Sequence, residues 1–144
     1  MAWQLPPVFF LHSGVALAMA GIGVTAYRHR DIAGSRPLTL LALVVALWAG
    51  LNAAYIAATS YFVLVAVSNI AYLSIAFLPV VLLWFAEAYT GHATPLTRYG
   101  YAPLLVVPSL TQVAVWTNPV HQLFYTSRAL ENSSPFVSTT SEWG

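Results

Sequence analysis

Apolar residues fall along this chain in four long blocks separated by short polar breaks, with no internal repeat and no heptad run. The blocks run from about Pro7 to Tyr27, Leu38 to Thr59, Phe62 to Ala88 and Tyr101 to Thr117. A helix needs roughly 20 apolar residues to cross the hydrocarbon core of a bilayer. The first three blocks meet that length. The fourth is shorter and carries Pro103 and Pro108, which a membrane helix tolerates when its neighbours satisfy the freed carbonyls. The pattern therefore predicts an all-α integral membrane protein of four transmembrane helices over residues 1–117, with a polar outer segment, loop or tail, over 118–144. That last segment is rich in Ser and Thr and too short for a domain, and its composition suggests order only on contact with a partner.

Composition sharpens this reading. Hydrophobic residues make up 59% of the chain and charged residues only 6%, against roughly 25% charged in soluble domains. Such a surface is satisfied by lipid rather than water. A net charge of +1 leaves no basic patch for nucleic acid. Cysteine and lysine are both absent. Thiolate metal sites and cysteine nucleophiles are thereby excluded, as is a retinal or pyridoxal phosphate held by a lysine Schiff base. No cofactor is expected.

The first positive charges, Arg28 and Arg30, come after the first apolar block, so it reads as a retained span rather than a cleavable leader. Arg28, Arg30 and Arg36 fall in one break and Arg98 in another. The positive-inside rule places both breaks in the cytoplasm, hence the N-terminus and the segment after Thr117 outside a cell membrane. Arg128, beside Glu131, opposes that assignment. Trp3, Tyr61, Trp84, Tyr89, Tyr99, Tyr101 and Trp116 lie near span ends, as interfacial aromatics do. Asn132-Ser133-Ser134 is a glycosylation acceptor triplet on the expected outer side.

The second span carries a ladder of small residues, Ala42, Ala46, Gly50, Ala54 and Ala58, with Ala49, Ala53 and Ala57 in a row beside it. Residues four apart share a helix face, so this bare face lets another helix approach closely, within this protein or in an oligomer. Leucine at Gly50 or Ala54 is expected to disrupt it. Polar side chains also interrupt the spans. Asn52, Asn69, Tyr72 and Gln112 are the main ones, with Tyr55, Ser68 and Thr111 nearby. A carboxamide facing lipid alone costs several kcal/mol, on the order of a lost buried hydrogen bond or more. These groups should therefore bond one another across helices, or line a small polar cavity opening outward. Pro79 frees the carbonyl of Ile75 and predicts a bend.

The sequence offers no catalytic constellation. There is no metal-protease histidine pair, phosphate-cradling glycine loop or nucleophile elbow, and the chain is not expected to be an enzyme. Proton pumping needs ionisable groups across the membrane. Glu87 alone stands at a span end, paired with Arg98 or hydrated at the headgroups. His12, Asn118 and His121 are candidates on the outer face. Two histidines from distant segments are a weak basis for ligation, so no metal is predicted. His29 and His92 read as loop residues. Gly91 reads as a left-handed helix cap.

One block, Leu82-Leu83-Trp84-Phe85-Ala86-Glu87-Ala88-Tyr89-Thr90-Gly91, resembles the end of the third span in the seven-helix N-terminal region of archaeal and bacterial sensor histidine kinases. Leu96-Thr97-Arg98, then Trp116-Thr117-Asn118 and His121-Gln122-Leu123-Phe124, extend the resemblance, as do Arg28-His29-Arg30-Asp31 and Ser35-Arg36-Pro37. The resemblance implies a membrane sensory module that passes a signal to cytoplasmic domains. It covers the first four of the family's seven spans and none of the kinase domains, so the chain corresponds to the front of a longer kinase or to a shortened relative. A shortened relative would serve as a structural or accessory subunit of a larger membrane complex. Expected partners are membrane lipid and either other membrane subunits or a signalling protein.

Overall fold

The computed structural model describes residues 5–97, 100–133 and 136–143, with side chains described through Ser127 apart from Leu96. Trp3, Arg98 and Tyr99 lie outside the described residues, as do Ser134 of the acceptor triplet and the side chains of Arg128 and Glu131.

Helix α1 spans Pro7–Arg28 and starts with proline at its first position, where a missing N–H costs nothing. Helix α2 spans Ser35–Ala57. It begins three residues before the expected Leu38, because Gly34 adopts φ +83° and turns the chain directly into the helix. Pro37 falls in the first turn, where proline is allowed. Helix α3 spans Tyr61–Thr90 and stays continuous through Pro79. It ends where Gly91, at φ +70°, donates its N–H to the Glu87 carbonyl at 2.9 Å.

These three helices are long and apolar enough to cross a membrane. The expected fourth span is built differently. A 3-10 turn, Ala102–Leu105, leads into α4, Val106–His121. Pro103 sits at the start of the turn and Pro108 in the first turn of α4, so the prolines break this segment into two pieces. The 16 residues of α4 rise only about 24 Å.

The expectation of an all-α chain fails after α4. Strands β1 (Tyr125–Ser133) and β2 (Phe136–Trp143) pair antiparallel, in register from Ser133↔Phe136 to Tyr125↔Trp143 with an irregularity between Tyr125 and Ser127. The Ser and Thr that made this segment look like a tail stand beside Phe136, Val137 and Trp143, and β-branched and aromatic residues suit a pleated strand. Pairing satisfies the backbone groups that the two strands turn toward each other.

The helices pack as successive neighbours, α1 on α2, α2 on α3 and α3 on α4, while β2 reaches back to α2 and α3. The core is narrow. Ala42, Ala49, Ala53, Ala57 and Ala58 of the α2 segment are buried, with Leu64, Ser74 and Val81 of α3. Ala46, Gly50 and Ala54 are half-buried. Large apolar side chains such as Phe10, Leu17, Phe62 and Val120 point outward, the arrangement that a lipid solvent rewards.

Candidate functional site

Two polar clusters tie the helices together, one at each end of the α3–α4 pair. At the end expected to face outside, Asn118 holds the chain that leaves α4. Its Oδ1 accepts the backbone N–H groups of Phe124 (2.8 Å) and Tyr125 (2.9 Å), and its Nδ2 donates to the Tyr125 carbonyl (2.9 Å). Gln122, at φ 53°, makes the left-handed turn that this clamp requires. His121 completes the turn. Its Nδ1 accepts the Leu123 N–H at 3.0 Å, so the neutral ring carries its proton on Nε2, 2.9 Å from Thr117 Oγ1. The Thr117 hydroxyl in turn donates to the Val113 carbonyl at 2.6 Å.

The base of the hairpin then meets α3. The Tyr125 hydroxyl donates to the Tyr72 hydroxyl, and Phe124 packs edge-on against Tyr72 with ring centroids 5.7 Å apart. Beside this contact lies a cleft of about 210 Å³ whose polar lining includes Asn69, Asn118 and Gln122, with Tyr61, Val65 and Tyr125.

At the opposite end Glu87 gathers three donors. Its Oε1 accepts the Thr94 backbone N–H and the Thr97 hydroxyl, each at 2.5 Å, and its Oε2 accepts the Tyr101 hydroxyl at 2.5 Å. One carboxylate thus fixes the end of α3, the loop after it and the start of the α4 segment. Charge-assisted bonds of this kind are about twice as strong as neutral ones. Sequence reading gave Glu87 only Arg98 or water as partners. The signal available was a lone acid at a helix end with Thr94, Thr97 and Tyr101 after it, three hydroxyl donors in the short return to the next helix. Glu87→Gln is expected to loosen this loop, because an amide offers one acceptor oxygen and sets an NH₂ against a donor. Faster exchange of the Thr94 amide, and a larger fall in Tm than either Thr97→Ala or Tyr101→Phe gives, would be seen in detergent. A Tm equal to that of the parent would count against the hub.

Residues 11–144 match the family described as the N-terminal 7TM region of histidine kinase. The chain belongs to that family. No curated protein and no solved structure matches it. As a member of the histidine-kinase N-terminal 7TM family the chain is a membrane protein of a sensory, signalling context, and the region in question is the sensory rather than the catalytic part of such kinases.

Several of the blocks that carry the family resemblance lie where helices end. Thr90 bonds back to the Ala86 carbonyl at 2.8 Å beside the Gly91 cap, and Thr117, Asn118 and His121 form the turn out of α4. The four residues expected to bond one another across helices or to line a polar cavity fall in several places in this 7TM-family chain. Asn69 lies in the outer α3–α4 cleft. Asn52 and Tyr72 line a separate cleft of about 200 Å³ between α2 and α3, where Asn52 also donates to the Trp48 carbonyl of its own helix at 2.8 Å. Gln112 has both amide atoms buried and, among the described residues, no partner for either. His12 bonds the Val8 carbonyl at 3.0 Å on α1, which packs on α2, whereas His121 sits on α4, which packs on α3. Among the described residues no group of three or more potential ligands could hold a metal ion.

Proposed function

We propose that this chain forms the signal-input part of a histidine-kinase sensory region, with the outer α3–α4 cleft as its receiving site. In this reading α1, α2 and α3 span the membrane, the Ala102–His121 segment makes the fourth crossing, and the N-terminus and hairpin lie outside. The loops after α1 and α3 face the cytoplasm, as the arginines indicate. The observation that carries the proposal is the hydrogen-bonded junction of Tyr72, Asn118 and Tyr125 beside the cleft. An occupant there would touch α3, α4 and the hairpin together, so it would bias how α4 sits on α3. The Glu87 hub joins the same two helices about 27 Å away, the rise of the 18 residues between Asn69 and Glu87. A shift at one end therefore meets a stiff tether at the other. Output chemistry would belong to kinase domains, and no residue of the cleft or the hub is assigned a catalytic role.

The test fills the cleft from within. The natural absence of cysteine allows paired spin labels at Phe62→Cys and Val120→Cys on the exposed surfaces of α3 and α4. Val65→Trp, in the cleft wall, is expected to lengthen the distance between the labels and to change the exchange rate of the Thr94 amide at the far end. A lengthened label distance with an unchanged Thr94 rate would mean that the two ends are uncoupled, and the input reading would fail.

A further inference from the structure

The loop between α1 and α2 folds against the end of α3 and leaves a cavity of about 530 Å³ that neither polar cluster uses. Arg30, Asp31, Gly34, Arg36, Trp84 and Ala88 line it. Its walls are built from short-range turns: Ile32 N–H donates to His29 O at 3.0 Å, Ser35 N–H to Ile32 O at 3.1 Å and Leu38 N–H to Gly34 O at 2.9 Å. Gly34 is seated so closely that a Cβ there would stand 3.4 Å from Tyr89 Cα. The loop is therefore docked on α3, and Ser35 and Pro37 are buried behind it.

The charge in this cavity is unspent. Two arginines and one aspartate line it, and among the described residues neither arginine is held in an ion pair. Arg30 lies 5.6 Å from the centre of the Tyr27 ring, a contact that steadies it without neutralising it. The cavity also takes in the first turn of α2, whose helix dipole adds positive potential of the same sign. Trp84, an aromatic that favours the membrane–water interface, forms the wall on the α3 side.

We propose that this cavity binds a phosphate-bearing anion, supplied by the headgroup of an acidic phospholipid. Guanidinium groups match phosphate oxygens through paired N–H donors. Basic pockets between membrane helices take acidic headgroups for this reason. The cavity lies where the α1–α2 loop meets the end of α3, and with these helices spanning a membrane, as proposed above, that end stands at the headgroups. Asp31 opposes the anion and sets its affinity below what two arginines alone would give.

The experiment uses the full chain in phosphatidylcholine nanodiscs, titrated with phosphatidylglycerol carrying brominated acyl chains. Bound lipids are counted by native mass spectrometry, and Trp84 quenching is read against the Trp84→Phe protein. Phosphatidylglycerol should be retained in preference to phosphatidylcholine and should quench Trp84. Each charge near the surface is worth about a fivefold change in affinity. Arg30→Gln with Arg36→Gln should therefore weaken binding by about 25-fold, and Asp31→Asn should tighten it by about fivefold. Release of the lipid by millimolar inorganic phosphate would identify free phosphate as a second source of the same chemistry, whereas retention would assign the site to lipid. No preference for phosphatidylglycerol, or a preference that survives the double arginine variant, would overturn the proposal. Should that double variant fail to fold, an Asp31→Asn protein with unaltered affinity would overturn it too. None of these outcomes depends on the outer cleft being the receiving site.

Discussion

Asn118→Ala should cost this protein about 3 kcal/mol, since it removes three hydrogen bonds each worth roughly 1 kcal/mol net. The bonds are those to the Phe124 and Tyr125 N–H groups and to the Tyr125 carbonyl. They also hold Gln122 at φ 53°, a conformation that costs a side-chain-bearing residue about 1–2 kcal/mol. Without the clamp the turn has reason to relax, and the Tyr125 hydroxyl leaves Tyr72. A lowered Tm in detergent and faster amide exchange at Phe124 and Tyr125 should appear together. Asn118→Asp makes the comparison specific. The carboxylate keeps both accepted bonds but sets an oxygen against the Tyr125 carbonyl, so it should cost about 1–2 kcal/mol, still less than the alanine loss. An alanine variant with parental Tm and parental exchange would show that the hairpin base is held by something other than this side chain.

The second large effect is expected in the α1–α2 contact, at Gly23. A Cβ at Gly23 would lie 3.4 Å from Leu43 Cδ2 and 3.5 Å from Ala42 Cβ. Alanine fits there in van der Waals contact. Leucine drives three further carbons against the Leu43 and Ala42 side chains, an overpacking that costs about 1–3 kcal/mol. Gly50 behaves differently. A Cβ there would meet only Ala16 Cβ, at an ordinary 3.9 Å. Gly50→Ala should then be neutral or stabilising by up to about 1 kcal/mol, the helix preference of alanine over glycine. Thermal unfolding of the two variants in one detergent checks both expectations. Equal losses at Gly23 and Gly50 would mean that the seam is not tight where the geometry places it.

This pair of glycines also marks how far the sequence could be read. The small-residue ladder identifies α2 as the helix others approach, because a row of Ala and Gly has one physical use in a membrane span. It does not say where the partner's own small residue falls, and that decides which glycine is crowded. The three long spans were legible for a similar reason, since bilayer thickness imposes a length on them. The hairpin was not. Its Ser and Thr suit a solvated tail and a strand equally, and only the pairing partner separates the two. The polar residues show the same boundary. A lone Asn or Gln in a span announces that it needs a partner, but Asn52 finds one on its own helix while Asn69 lies in a cleft with Asn118. Asn118 itself was selected on a resemblance rather than on a mechanism, and its clamp depends on the left-handed turn at Gln122, which nothing in a glutamine announces. Glu87 was read as paired with Arg98 or hydrated at the headgroups because its donors are spread over a return loop that had no assigned geometry.

The sequential packing of the helices bears on how the protein is made. Each helix after the first has its principal partner immediately before it in the chain, so contacts between helices close only short stretches of polypeptide. Such topologies assemble quickly, because little chain entropy is lost before a contact rewards it. During synthesis α1 and α2 can enter the bilayer as a ready-made pair, and α3 can add to it before α4 is made. The hairpin is the exception. Made after α1 to α4, it reaches back to α2 and α3 and bonds Tyr72. Its docking is the late, long-range event, and an arrested chain lacking residues beyond Gln122 should hold α1 to α3 already in their mature arrangement.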